Sequence, residues 1–199
     1  MGNEATPISV KILEAAEERF RHYGYRKTTM AEIAKDSHMS AANLYRYYTN
    51  KEDIGAACVL RCFQEAESSL RAIVNAKHKS ASKKLHEFVI AKFEHVHNEV
   101  NNNPNINELI EMFVTEKAEL LLARQQAIQS MIAEILAEGN RTGEFEVDDI
   151  IVTAESISNA IVGFHFPMFM PLFAKEKFIE MAHRVVDLLI RGLLPKTKH

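Results

Sequence analysis

Tryptophan is absent from the 199 residues, cysteine occurs twice, proline five times and glycine seven times. So few turn formers leave little punctuation for a many-stranded sheet protein, and the composition leans helical. Cys58 and Cys62 lie four apart in a helical stretch, where they share a helix face and are poorly placed to bridge one another. They read as small core residues rather than as redox or metal groups. No apolar run approaches the roughly 20 residues a bilayer span needs, and the N-terminus MGNEATPISV lacks the basic-then-apolar layout of a secretion signal. The expectation is a soluble cytoplasmic protein with no membrane partner. Nor is there an excess of positive charge: 24 Lys and Arg against 27 Asp and Glu give a formal charge of −3. That excludes a polycation holding nucleic acid by charge alone.

Glycine-rich phosphate loops, Ser or Cys nucleophile motifs and HExxH are also missing, so no catalytic residue and no cofactor are expected. Metal ligands are not assigned either. His78, His86, His95 and His97 crowd one stretch with Glu94 and Glu99 nearby, but His95 and His97 are two apart on a helix and face different ways. Surface histidines are the better account.

What fills the chain is apolar residues at helical spacing. Thr6-Pro7 opens a first helix carrying Ile12, Leu13, Ala16, Phe20 and Tyr23, with Gly24 at the C-terminal cap. Thr29-Met-Ala-Glu32 is a capping box that begins a short helix ending near Asp36. Ser40 restarts the pattern, and Leu44, Tyr45 and Tyr48 give a second short helix reaching Tyr47 or Tyr48. Two short helices across a tight turn have helix-turn-helix spacing.

Asn50 caps a longer helix from Lys51 to about Ala76. Leu85, Phe88, Val89 and Phe93 share the next helical face, after which NEVNNNPNINE reads as a loop. A short helix through Leu109 and Phe113 follows, then a long one ending at Gly139. Two more run from Asp149 to about Phe166 and from Phe178 to Leu194. The fold class is all-α, with about nine helices: a three-helix helix-turn-helix DNA-binding domain over 1–50 and a helical ligand-sensing and dimerisation domain over 51–199.

The stretch TTMAEIAKDSHMSAANLYRYYTNKEDI, Thr28 to Ile54, resembles the DNA-binding signature of the TetR family of bacterial regulators. It combines the capping box, the turn, the Leu44-Tyr45 pair, an aromatic three residues later and Lys51 opening the fourth helix. Further on, only length, helix count and the turn Gly139-Asn-Arg-Thr-Gly-Glu-Phe145 agree. The resemblance implies a transcriptional repressor that binds double-stranded operator DNA as a homodimer through the last two helices and is released by a small-molecule effector. A helix-turn-helix protein with a scaffolding or cell-division role and no effector is the alternative.

Residue by residue, a helix capped by Ser40 fits a major groove about 12 Å wide with its first turn towards the base edges. Asn43 can read adenine, and Ala41 lets the backbone approach closely or touch a thymine methyl. Tyr45, Tyr47 and Tyr48 point in different directions, so at least one phenol faces outward to a phosphate. The resemblance implies that Tyr47 does so, with Tyr45 and Tyr48 partly packed. Thr29 and Lys51, each at a helix N-terminus, are phosphate clamps, although Thr29 can equally be a cap alone.

Two departures from the family pattern stand out. His38 occupies the turn position where the family commonly has glycine, and Ala41 with Ala42 replaces the residues often found there. In the second domain the run Gly163–Phe173 is dense in Met and Phe and either lines a pocket or packs a core or dimer interface. Phe113, Phe164, His165 and Met168 are the candidate contacts for a largely apolar ligand.

Overall fold

The structure, a computed structural model, describes residues 6–102, 105, 118–164 and 172–195. Among them are eight α-helices, one 3-10 turn and no strand. Helix α1 (Pro7–Tyr23) starts as its capping chemistry dictates: the Thr6 hydroxyl oxygen accepts from the Ser9 amide at 3.2 Å, and Pro7 sits where no donor is needed. It stops at Gly24, whose φ of +85° suits a residue without Cβ and whose N–H returns to the Phe20 carbonyl at 3.0 Å.

Helices α2 (Met30–Asp36) and α3 (Ala41–Leu44) follow, then α4 (Lys51–Val74), capped by Asn50 Oδ1 on the Asp53 amide at 2.7 Å. After these come α5 (Ala81–Asn102), α6 (Ala118–Thr142), α7 (Ile150–Ala160), the 3-10 turn Val162–Phe164 and α8 (Lys175–Leu193). No described helix is long and apolar enough to cross a membrane. The short helix expected through Leu109 and Phe113 lies outside the described residues.

The chain forms two compact units, one of residues 1–64 with 99–118, the other of 65–98 with 119–199. This division falls inside α4. Ile54, Cys58, Val59 and Phe63, from the first half of α4, complete a core with Ile12, Ala16 and Phe20 of α1, Ile33 and Ala34 of α2, and Leu44 with Tyr48. Arg61 of α4 also pairs with Glu17 of α1 at 2.7 Å. Cys58 is 4% exposed and burial pushes its thiol well up, while Cys62 is half-buried; neither is part of a disulfide.

The second unit is built on Leu85, Phe88, Val89 and Phe93 of α5 and on Ile128, Ile132, Ile135 and Leu136 of α6. Ala154 and Ile157 of α7 and Phe178, Ala182 and Val186 of α8 complete it. Lys84 is a cation held within it. Lys84, 2% exposed, donates to the Val74 carbonyl at the end of α4 at 2.8 Å and pairs with Glu138. A lysine there answers both the negative helix end and the carboxylate, which is how a buried charge is tolerated.

Two expectations are corrected. The tract Asn98–Asn102 is the last turn of α5, not loop; Pro104 disfavours helical geometry only for the residue before it, so the helix runs on to Asn102. Helix α6 likewise continues past Gly139 to Thr142, and the left-handed residue is Gly143, φ +73°. Gly139 has a different reason to be glycine: a Cβ there would lie 2.1 Å from the Phe145 ring. Around this contact the turn is tightly tied. Asn140 exchanges two hydrogen bonds with the Val147 backbone, at 2.7 and 3.0 Å, and Glu144 accepts from the amides of Ala81 and Ser82 at the start of α5.

Gly139→Ala is therefore expected to lower unfolding free energy by about 1–3 kcal/mol through overpacking against Phe145. Gly192→Ala in α8, where nothing lies within 4 Å, should instead gain up to about 1 kcal/mol of helix propensity. Urea melts of both variants read the two signs.

Candidate nucleic-acid interface

The helix-turn-helix is assembled from local chemistry outward. Thr29 and Glu32 form the complete capping box: the Thr29 oxygen accepts from the Glu32 amide at 3.4 Å, and the Thr29 amide donates to the Glu32 carboxylate at 2.9 Å. The Thr29 hydroxyl also donates to that carboxylate at 2.8 Å. Thr29 is exposed, but its hydroxyl proton is already committed and reaches a phosphate only by leaving Glu32. These bonds hold the Glu32 carboxyl below its usual range. Arg19 of α1 fixes the same helix from behind, through Asp36 at 2.6 Å and Glu32 at 3.0 Å, with its guanidinium over Tyr23.

The turn between α2 and α3 is Ser37–Met39. His38 has φ +58°, the left-handed conformation that its place in the family pattern anticipated, at a cost on the order of 1 kcal/mol for a residue with Cβ. The Ser37 hydroxyl donates to the Ile33 carbonyl at 2.7 Å, and the Met39 amide to the Ala34 carbonyl at 2.9 Å. The bend is therefore held by bonds on both sides of the strained residue.

Helix α3 is a single turn, with Ser40 Oγ accepting from the Asn43 amide at 3.2 Å. Past Leu44 the backbone winds on with short-range bonds, Arg46 amide to Asn43 carbonyl and Tyr47 amide to Leu44 carbonyl, so the expected longer helix persists only as a turn. Ser40 and Ala41 are exposed and Asn43 is half-buried. The tyrosines separate by angle. Tyr48, four residues after fully buried Leu44, shares its face and is 9% exposed in the core, where burial raises its phenol pKa. Tyr47 is half-buried against that core, and Tyr45, one residue past Leu44, is 54% exposed. Tyr45, which the resemblance had paired with Tyr48 as partly packed, is therefore the most exposed of the three.

Lys51 is half-buried. Its ammonium donates to the carbonyls of Tyr25 at 3.0 Å, Thr28 at 2.9 Å and Arg26 at 3.4 Å, and lies 4.4 Å from the Tyr25 ring centroid. All three donors are turned onto the loop that leads to Thr29. Lys51 is thus a brace of the reading head, and it reaches a phosphate only by releasing one of these carbonyls.

Sequence reasoning passed over the exposed Lys27, Lys35 and Arg46, because residues 1–55 carry as many acids as bases. Four of those acids are drawn into ion pairs. Glu32 and Asp36 bind Arg19, Glu18 binds Arg21, and Glu17 binds Arg61 from beyond the segment. The exposed remainder is more basic than the sum.

Comparison with known proteins decides the family. The profile of bacterial regulatory proteins of the tetR family matches residues 12–58, and the Tetracyclin repressor-like C-terminal domain matches residues 81–186. The chain belongs to the TetR family. Among TetR-like relatives it resembles the HTH-type transcriptional regulator UidR of Escherichia coli K12, 31% identical over 78 residues, which are 39% of this chain and 40% of UidR. The chain thus spans about two-fifths of that relative's length. The biofilm operon negative transcriptional regulator IcaR of Staphylococcus epidermidis is 40% identical over 53 residues, 27% of this chain and 29% of IcaR. In fold it matches the crystal structure of a transcriptional regulator from Cytophaga hutchinsonii, with a TM-score of 0.75, 24% identity and coverage of 92% of this chain and 97% of that one.

Of the candidate ligand contacts in this TetR protein, Phe113, His165 and Met168 lie outside the described residues. Phe164 is described and 8% exposed, set edge-on to Phe178, which stacks on Phe93. It belongs to the aromatic core of the second unit. A separate open groove of about 350 Å³ is lined by Ile73, Ile90, Ala91, His86, His183 and Glu94, with Glu87 beside them.

His38→Gly should relieve the turn and raise unfolding free energy by up to about 1 kcal/mol, whereas His38→Val should lower it, read by urea denaturation. The capping box adds an acid sensitivity. Because the folded Glu32 pKa is depressed, its contribution is complete above the ordinary Glu range and disappears as pH falls through the lowered value. Glu32→Gln should flatten that part of the pH–stability curve.

Proposed function

We propose that the protein is a ligand-responsive transcriptional repressor of the cytoplasm that binds a palindromic operator as a homodimer and is released by a small, largely apolar effector. The observation that carries this reading is the preassembled head: a Ser40-capped recognition turn presenting Ala41, Asn43, Tyr45 and Arg46, next to an α2 paired with Arg19 of α1 and an α1–α2 loop held by Lys51 of α4. Asn43 and Ala41 suit base edges, and Tyr45, Tyr47, Arg46 and the amide-rich start of α2 suit phosphates. IcaR is a negative regulator by name, which supports repression over activation.

Dimerisation through α7 and α8 is supported by apolar side chains left exposed on them: Ile151 at 71%, Val152 at 56% and Leu188 at 69%. A twofold axis there would set the two recognition turns on half-sites about one DNA turn apart, roughly 34 Å. Helix α4 is the natural transmitter, because its first half belongs to the reading unit and its second half to the other. Effector entry in the second unit shifts α4 and with it the spacing of the recognition turns.

Fluorescence anisotropy with duplexes tiling the DNA beside the protein's own gene, at two salt concentrations, tests the reading. Site-limited binding is expected, weakened in Tyr45→Ala and Tyr47→Ala, with Arg46→Ala flattening the salt slope by about one. Binding no stronger than to random duplex in every tile would contradict it. Leu188→Glu should yield monomers by sedimentation and lose operator binding at the same time.

A further inference from the structure

We propose that His86 and His183 bind one divalent transition-metal ion of the zinc, nickel and copper class through their Nδ1 atoms, with Asp187 as the positioning residue. The two histidines are 97 residues apart in sequence and come from α5 and α8, yet their Nδ1 atoms lie 3.4 Å apart and their ring centroids 5.5 Å. Metal–imidazole bonds of 2.0–2.1 Å in tetrahedral geometry require two ligand nitrogens to stand roughly 3.3–3.4 Å apart. The pair already has that separation.

Asp187 Oδ1 accepts from His86 Nε2 at 3.0 Å. A proton held on Nε2 leaves His86 Nδ1 with a lone pair, which is the carboxylate–histidine arrangement that orients metal ligands. Without metal, the His183 Nδ1–H donates to that lone pair. With metal, His183 takes its other neutral tautomer, Nε2–H, so two lone pairs face the ion and no proton need leave the protein.

The pair is part of the lining of the 350 Å³ groove, where Glu87 and Glu94 add carboxylates and Lys79 is bound to Glu87. Among the described residues no three His, Cys, Asp or Glu side chains converge as ligands. Two nitrogens with water in the open positions therefore complete the site, a donor set that favours copper, nickel and zinc over magnesium or calcium. The sequence grouping of His86 with His97 cannot form it, because eleven residues of helix separate those side chains by about 16 Å. The site also stands clear of the proposed dimer surface, since Leu188 is five residues beyond His183 and about 140° round α8.

Isothermal titration of the chelator-treated full chain with ZnCl2, NiCl2 and CuCl2, beside MgCl2, tests the proposal without DNA. One equivalent of each transition metal should bind, magnesium should not, and the Cu²⁺ EPR spectrum should carry nitrogen coupling from two imidazoles. His86→Ala and the shape-conserving His183→Gln should each abolish binding while keeping the helical circular dichroism of the parent. His97→Ala should leave binding intact, and Asp187→Asn should weaken it about 10- to 100-fold. Saturable binding that survives both His86→Ala and His183→Gln, or no saturable transition-metal binding to the parent chain, would overturn it.

Discussion

One ammonium group holds the reading head together. Lys51 opens α4 and spends its three donors on the carbonyls of Tyr25, Arg26 and Thr28, the loop between α1 and α2. Those carbonyls follow α1 and lead directly into the Thr29 capping box, so the position of α2, and through it of the recognition turn, is referred to the first residue of α4. Arg19 repeats the device from α1. A helix of four residues has no stability of its own, and α3 keeps its place because Leu44 is fully buried and the helices around it are tied.

The same ties resolve the charge problem. A segment with no net charge is a poor electrostatic partner for DNA if its charges are evenly spread, but here Glu17, Glu32 and Asp36 fasten helices to one another and Glu18 pairs with Arg21 inside α1. Lys27, Lys35 and Arg46 stay exposed. The acids build the scaffold and the bases decorate it, a distribution that a sum over residues conceals.

What was legible in the sequence is what is written within three or four residues. The capping boxes and caps at Thr6, Thr29, Ser40 and Asn50 depend on i, i+3 contacts, and each is present in the structure. The left-handed His38 was signalled only by the resemblance, at a turn position where the family commonly has glycine. Contacts that close long loops were not. Lys51 finds carbonyls more than twenty residues back, His183 finds His86 across the second unit, and Gly139 is small because of Phe145, not because a helix ends there. The tyrosines fall between these cases. Their alternation was clear, but which phenol faces out depended on Leu44 anchoring the core.

The brace role of Lys51 is most directly tested by amide hydrogen exchange, comparing the parent chain with Lys51→Met in the absence of DNA. If the ammonium organises the head, exchange of the Thr28–Ile33 amides accelerates while the α5 and α6 amides keep their protection. Unchanged exchange throughout Thr28–Ile33 would contradict the account and leave Lys51 as a phosphate contact alone.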